Sequence, residues 1–136
     1  MEVKKFTMPY LCHLSTWLKV RGLETHVLND LPKNGLVVFD GEQAVAAGFI
    51  RLCEGNHGLF DSYITNPSVS PYIRDNALNE LTLALIEEAK TLKLKVVLAL
   101  TVDENTKVRS IKHGFVQLGH TVLALGDGTQ SQKAAE

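Results

Sequence analysis

Residues 40–67 read DGEQAVAAGFIRLCEGNHGLFDSYITNP, and this stretch decides the fold. Its first two residues, Asp40-Gly41, accept the positive φ angles of a tight hairpin turn. They separate a β-rich run at Leu36–Phe39 from a long strand predicted over Gln43–Cys53. The turn EGNHG then leads into another strand, predicted over Leu59–Thr65. The pattern therefore predicts an antiparallel meander at the centre of the chain.

Downstream of this meander the apolar residues change to spacings of three and four, which is typical of one face of a helix. These residues are Ala77, Leu78, Leu81, Leu85, Ala89 and Leu92. The start of the helix stays open between a Ser70-Pro71 cap and an Asp75 cap. The run Lys95–Thr101 predicts a buried strand, so the strand–helix–strand unit should be parallel.

Shorter elements flank this centre. Before the meander, the spacing predicts a strand at Glu2–Phe6, a helix from Thr7 to Gly22 and a short helix at Glu24–Leu31. After the strand–helix–strand unit, it predicts a further helix at Glu104–His113 and a last strand region at Phe115–Leu125. The predicted fold class is α/β (α+β), a mixed sheet of about six or seven strands with helices on both faces. We expect one domain over residues 1–125 and a flexible polar tail over residues 126–136.

The composition and charge of the chain argue against several classes of function. Fourteen basic and 15 acidic residues among 136 give a formal net charge of −1, which argues against a broad nucleic-acid surface or a polybasic membrane anchor. The apolar runs Ala44–Ile50 and Val96–Leu100 are far shorter than the roughly 20 residues that span a bilayer. With no apolar leader visible at the start, we expect a cytoplasmic protein. The spacings of the two cysteines and five histidines predict no metal site.

The order β, α, α, β, β, β, α, β, α, β, with a long hairpin before the strand–helix–strand unit, resembles the GNAT superfamily of N-acetyltransferases. The segment DENTKVRSIKHGFVQLG resembles that family's helix that closes on Gly-Phe, here Gly114-Phe115. YITNP followed by a leucine-rich helix resembles its cofactor strand and cofactor helix. The likeness covers about residues 1–125 and is greatest to the short members that phages and prophages encode.

The resemblance implies acetyl-CoA as the acyl donor. In the family two parallel strands diverge and the pantetheine arm lies between them, while the phosphates bind at the start of the following helix. Here the arm would contact Tyr63, Ile64 and Thr65. The phosphates would contact the start of the leucine-rich helix, located by counting back from Ala89, and two residues of the helix at Glu104–His113. These candidates are Ile73, Arg74, Asp75, Asn76, Ala77, Asn105 and Arg109.

The phosphate stretch departs from the family pattern (Gln/Arg)-x-x-Gly-x-(Gly/Ala). Asn76 and Leu78 stand at the small positions, and no glycine occurs between Leu59 and His113. Glycine at these positions lets the backbone approach a phosphate closely. The alternative interpretation is therefore that Ile73–Leu78 packs as ordinary helix and binds no nucleotide.

The resemblance also implies catalytic roles. Asp61 is the predicted base that accepts the amine proton, because strand alternation would put it on one face with Tyr63 and Thr65. The family often carries a tyrosine acid where this chain has Ser110, which leaves Tyr63 and Tyr72 as the nearby phenols. The alternative for Asp61 is a residue that simply faces solvent.

Two functions follow from these residues. The first is an acetyl-CoA-dependent N-acetyltransferase in which an unidentified amine attacks the thioester directly. The second is a degenerate GNAT-fold binding protein that acts through a protein partner. A homodimer is expected because a short C-terminal strand region would leave a sheet edge exposed. The N-acetyltransferase function requires that the chain segments around Ile64 and Leu98 diverge.

Overall fold

A five-stranded mixed sheet organises the first of two compact units, Met1–Leu100 and Thr101–Glu136. The computed structural model describes residues 1–126, so most of the predicted polar tail lies outside the described residues. In spatial order the strands are β1 (Glu2–Lys5), β2 (Asn34–Asp40), β3 (Gln43–Cys53), β4 (His57–Thr65) and β5 (Val96–Ala99). The helices are α1 (Leu11–Val20) and α2 (Pro71–Thr91), with α3 (Glu104–Lys112) in the second unit. Within residues 1–126 no helix combines the length and the apolarity that a membrane crossing needs.

Strands β1 to β4 form the predicted antiparallel meander, and β4 pairs with β5 in parallel. The β2–β3 turn is tight because Gly41 adopts a φ of 63°. The parallel pair is joined through α2, which confirms the predicted strand–helix–strand unit.

Helices cover both faces of the sheet, as predicted. On one face α1 packs against β2, β3 and β4; the buried cluster is Leu14, Trp17, Leu18, Val37, Phe39, Ala44, Ala47, Phe49 and Ile64. The other face is covered by α2, whose buried residues are Ala77, Leu81, Thr82, Leu85 and Ala89. β3 lies in the middle of the sheet, and its run Ala44–Ile50 is buried throughout.

Three expectations about the elements were wrong. The described sheet has five strands rather than six or seven. Phe115–Leu125 contains no strand, and Leu123 and Leu125 are almost fully exposed, so no ladder partner or core favours an extended pairing. The segment predicted as a short helix over Glu24–Leu31 forms only a 3₁₀ helix at His26–Asp30, and it ends at Leu31 as predicted, because Pro32 holds that residue in an extended conformation.

The start of α2 is decided in favour of the Ser70-Pro71 cap. Ser70 Oγ accepts a hydrogen bond from Ile73 N at 3.3 Å, and Pro71 occupies the first helical position. Proline suits that position because its missing N–H would have no partner within the helix. The helix therefore begins five residues earlier than an Asp75 cap would place it.

Candidate functional site

Strand β4 is longer than its parallel partner. The two strands pair over four positions, from His57↔Val96 to Phe60↔Ala99. Beyond Phe60, β4 continues through Asp61–Thr65, and within residues 1–126 no strand pairs with that part on the β5 side. The structure therefore has an open backbone edge where the sequence predicted that the two segments diverge.

A β-bulge begins this open edge. Phe49 lies opposite Asp61 and Ala47 opposite Ile64, so Ser62 and Tyr63 together face the single residue Gly48. Ser62 adopts a left-handed backbone conformation with φ 56°. A bulge of this kind bends its strand and interrupts the ladder.

The bulge also overturns the expectation that Asp61 shares a face with Tyr63 and Thr65. Asp61 lies opposite Phe49, whose ring belongs to the α1-side core. Tyr63 lies on the α2 side, where its hydroxyl is 3.4 Å from Thr82 Oγ1. One extra residue in a strand moves every following side chain to the other face, and alternation counted from sequence does not include it.

Thr65 presents its backbone to the open edge. Asn66 N donates to Val45 O at 2.7 Å, which marks Thr65↔Ala46 as a pair that exchanges no backbone hydrogen bond. The N–H and C=O of Thr65 therefore point away from β3.

Arg21, at the end of α1, contacts this edge. Its guanidinium donates to Thr65 O and, at 2.8 Å, to Thr65 Oγ1. Sequence reasoning missed Arg21, because a lone arginine before a helix-stopping glycine carries no signal of a contact 44 residues away.

A second arginine lies close to the first. Arg74 Nη1 donates to Val69 O at 2.9 Å and to Pro67 O at 3.3 Å, in the loop between β4 and α2. Burial, and secondly repulsion from Arg74, lower the pKa of Arg21 below its ordinary value. Among residues 1–126 neither guanidinium forms an ion pair with a carboxylate. Two cations thus converge beside the open edge and the start of α2.

The predicted phosphate stretch has a different structure from the expected loop. Ile73, Arg74, Asp75, Asn76 and Ala77 lie in the first two turns of α2. Ala77 is completely buried and contributes to the core rather than to a ligand surface. The stretch is helical because the Ser70-Pro71 cap starts α2 at Pro71. The loop and the first helical residue are therefore residues 66–71.

The predicted base is already engaged on both oxygens. Arg51 Nε lies 2.8 Å from Asp61 Oδ2, and Ser62 Oγ donates to Asp61 Oδ1 at 2.9 Å. Arg51 Nη2 donates in addition to Asp30 O at 2.8 Å. Asp61 is thus the centre of a hydrogen-bonded cluster, and its predicted role as a base stays a prediction.

The remaining candidates lie in the second unit. Asn105, Arg109 and Ser110 belong to α3, where Ser110 Oγ donates to Thr106 O at 2.8 Å and Arg109 is only 8% exposed. Asp103 caps this helix, and hydrogen bonds from Thr106 hold the pKa of its carboxyl below the ordinary value. The predicted contacts of these residues with a cofactor stay predictions.

The fold has clear relatives among solved structures, although no family model and no curated protein matches the sequence. TTHA1254 from Thermus thermophilus is 19% identical, with a TM-score of 0.68 over 96% of this chain and 100% of that one. Rv2747 from Mycobacterium tuberculosis, solved in complex with CoA, is 14% identical, with a TM-score of 0.72 over 91% of this chain and 76% of that one.

An aminoglycoside 6'-N-acetyltransferase, AAC(6')-IG from Acinetobacter haemolyticus, is 16% identical, with a TM-score of 0.61 over 93% of this chain and 98% of that one. The chain has a GNAT-like fold. The GNAT-like fold predicted from the order of elements is therefore confirmed, with fewer strands than expected. At these identities the likeness establishes the architecture, and function has to be argued from the site.

Proposed function

We propose that this protein binds acetyl-CoA along the open edge of β4 and transfers the acetyl group to an amine. The observation that carries the proposal is that pairing with β5 stops at Phe60 while β4 continues for five residues, Asp61–Thr65. Unpaired backbone groups at a strand edge are hydrogen-bonding partners for an extended amide-containing chain. The pantetheine arm is such a chain, and two solved proteins of this fold, Rv2747 and AAC(6')-Iy, contain CoA.

The arginines supply the phosphate end of the proposed site. Arg21 binds Thr65 at the end of β4, Arg74 binds carbonyl oxygens of the loop that leads to α2, and the N-terminus of α2 adds its favourable dipole. Guanidinium groups bind phosphate oxygens through charge-assisted, often bidentate hydrogen bonds. This chain thus has side-chain donors where the family pattern has glycines that admit the phosphates to the backbone.

The thioester end lies at the bulge. A neutral amine attacks the acetyl carbon, the C–S bond breaks, and the CoA thiolate leaves and takes up a proton. Backbone N–H groups directed at the carbonyl oxygen would stabilise the charge that develops there. The proposal assigns no general acid or base. Tyr63 and Ser110 stay candidate proton donors, and the acceptor amine is left open.

Isothermal titration with acetyl-CoA tests the proposal. We expect saturable binding that weakens as salt is added, since phosphate contacts are screened. Arg21→Met should weaken binding about tenfold and flatten the salt dependence, because one cation is lost. Lys19→Met, an exposed lysine two residues away, is the matched control. No heat and no thermal shift of the unmodified protein at millimolar acetyl-CoA would overturn the proposal.

One observation favours the second candidate, a GNAT-fold binding protein without a cofactor. Ile73–Leu78 packs as ordinary helix, which is what that interpretation predicts. The open edge of β4 favours the enzyme instead. The same titration separates the two, because the binding protein would take up neither acetyl-CoA nor CoA.

A homodimer and a cytoplasmic location remain part of the proposal. β5 is an outer strand of the sheet, and Val96 and Leu98 are 44% and 42% exposed on it. Exposed apolar edge strands invite pairing with another chain. Analytical ultracentrifugation over a range of concentrations should show a dimer, and a monomer at the highest concentration would contradict it.

A further inference from the structure

We propose that Arg51 and Asp61 are positioning residues that hold the Ser62 bulge, and through it the backbone that meets the thioester. The inference rests on the proposed function, since it concerns the same open edge. It gives Asp61 a role different from that of a catalytic base.

The bulge depends on an unusual backbone conformation. Ser62 has φ 56°, a left-handed region that is unfavourable for any residue but glycine. Such a conformation persists only where the surroundings over-determine it. Here the Ser62 hydroxyl donates to Asp61 Oδ1 at 2.9 Å, so the side chain of the strained residue is tied to its neighbour.

Asp61 is tied in turn to the adjacent strand. Arg51 Nε donates to Asp61 Oδ2 at 2.8 Å from β3. The two carboxylate oxygens therefore serve different partners, one on the bulge and one on the strand beside it. A displacement of the carboxylate would weaken both contacts.

Arg51 extends the cluster to a third segment. Its Nη2 donates to Asp30 O at 2.8 Å, at the end of the 3₁₀ turn that follows α1. The planar guanidinium reaches two acceptors in fixed directions, which a lysine ammonium does not reproduce. One side chain thus joins β3, the bulge of β4 and the connection from α1.

The consequence lies at the open edge. The bulge sets the direction of the strand that follows it, and so where the Thr65 N–H points, and this open part of β4 is where the pantetheine arm and its thioester would lie. A half-exposed ion pair contributes little stability in itself. The main effect of losing it is therefore a loss of alignment at the thioester rather than a loss of folding.

The infrared band of the thioester carbonyl stretch, measured on bound acetyl-CoA labelled with ¹³C at that carbonyl, reports the alignment directly. Binding to the unmodified protein should shift the band to lower frequency, because aligned donors polarise the carbonyl. Arg51→Met and Asp61→Ala should return the band towards its position in water. They should also reduce the preference for acetyl-CoA over CoA about fivefold, the equivalent of one lost hydrogen bond.

Conservative variants separate positioning from proton transfer. Asp61→Asn keeps one acceptor oxygen for Arg51, and its Nδ2 can donate to Ser62 Oγ, so it should retain most of the band shift, and Arg51→Lys should retain only part. Lys90→Met removes an exposed ion pair with Glu87 on α2 and should change nothing. Thermal unfolding of each variant confirms that it is folded before the spectra are compared.

Three results would overturn the inference. The band shift and the preference for acetyl-CoA could be unchanged in folded Arg51→Met, or unchanged in folded Asp61→Ala. Asp61→Asn could lose the band shift as completely as Asp61→Ala. Failure of the unmodified protein to bind either acetyl-CoA or CoA would instead overturn the proposed function, so the two failures are distinguishable.

Discussion

The two halves of strand β4 differ in how they are held. His57–Phe60 is paired with β3 on one side and β5 on the other, whereas β3 is the only strand of the described part of the chain that pairs with Asp61–Thr65. In the open half, side chains from other elements contact the strand: the Arg21 guanidinium binds the carbonyl oxygen and the hydroxyl of Thr65, and Arg51 binds the side-chain carboxylate of Asp61. The difference teaches that a strand can stay extended without a second neighbouring strand when side chains from other elements hold it.

The paired half is closed by packing as well as by hydrogen bonds. A Cβ on Gly58 would lie 2.6 Å from Leu94 Cδ1, so the chain that enters β5 lies directly against β4 there. Lys95 N also donates to Asn56 O at 2.7 Å, immediately before the pairing begins. The change from closed to open coincides with the bulge at Ser62.

The largest effect is expected at the residue opposite the bulge. A Cβ on Gly48 would lie 3.0 Å from two ring atoms of Tyr63 and 3.1 Å from Leu81 Cδ2. Gly48→Val should therefore lower the free energy of unfolding by about 2 kcal/mol, because a filled core has no room for the branched side chain. Chemical denaturation measures the change.

The control for this variant is Gly119→Val, at a site where a Cβ would meet no atom within 4 Å. Its stability should be close to that of the unmodified protein. If Gly48→Val is no less stable than Gly119→Val, the ring of Tyr63 is not packed over the bulge, and the distinction between the halves of β4 loses its structural basis.

A smaller effect is expected at the end of the open half. Arg21→Met removes both hydrogen bonds to Thr65 and should lower the free energy of unfolding by about 1 kcal/mol. Lys19→Met should leave it unchanged within the error of chemical denaturation. Equal stabilities of the two variants would show that Arg21 does not hold the edge in the free protein.

The smallest effect is local and concerns one amide. In hydrogen exchange followed by NMR, the Thr65 N–H should exchange faster than the amides that join His57–Phe60 to both neighbouring strands, because it points away from β3. Saturating acetyl-CoA should slow the Thr65 amide and leave the paired half unchanged. Slow exchange of Thr65 in the free protein would mean that the open half is already covered.

Much of the fold was predictable from local pattern. The bounds of β3 were predicted at Gln43–Cys53, and the structure places them there, because Asp40-Gly41 and the EGNHG turn delimit the strand from both sides. The helical spacing from Ala77 to Leu92 located α2 along most of its length. The last strand was wrong, because a run of apolar residues becomes a strand only where a ladder partner exists.

The candidate site was predictable only in part. Tyr63, Ile64 and Thr65 were predicted from the resemblance, and they do lie on the open part of β4. The side of Asp61 was wrong because the bulge adds a residue to the strand. The stretch Ile73–Leu78 was expected as a turn and lies inside α2, because a count back from Ala89 does not register the earlier cap at Ser70; its contact with phosphates stays a prediction.

The amino-acid sequence by itself determined the order of the elements from β1 to α3, the meander and the parallel unit, since turn residues and hydrophobic periods act over a few neighbouring residues. The tertiary structure alone decided that Arg21 meets Thr65 and that Arg51 meets Asp61. Such contacts depend on which elements pack side by side. The tertiary structure also decided the bulge. Ser62 keeps a costly backbone conformation only when the neighbouring strand and the surrounding side chains together hold it there.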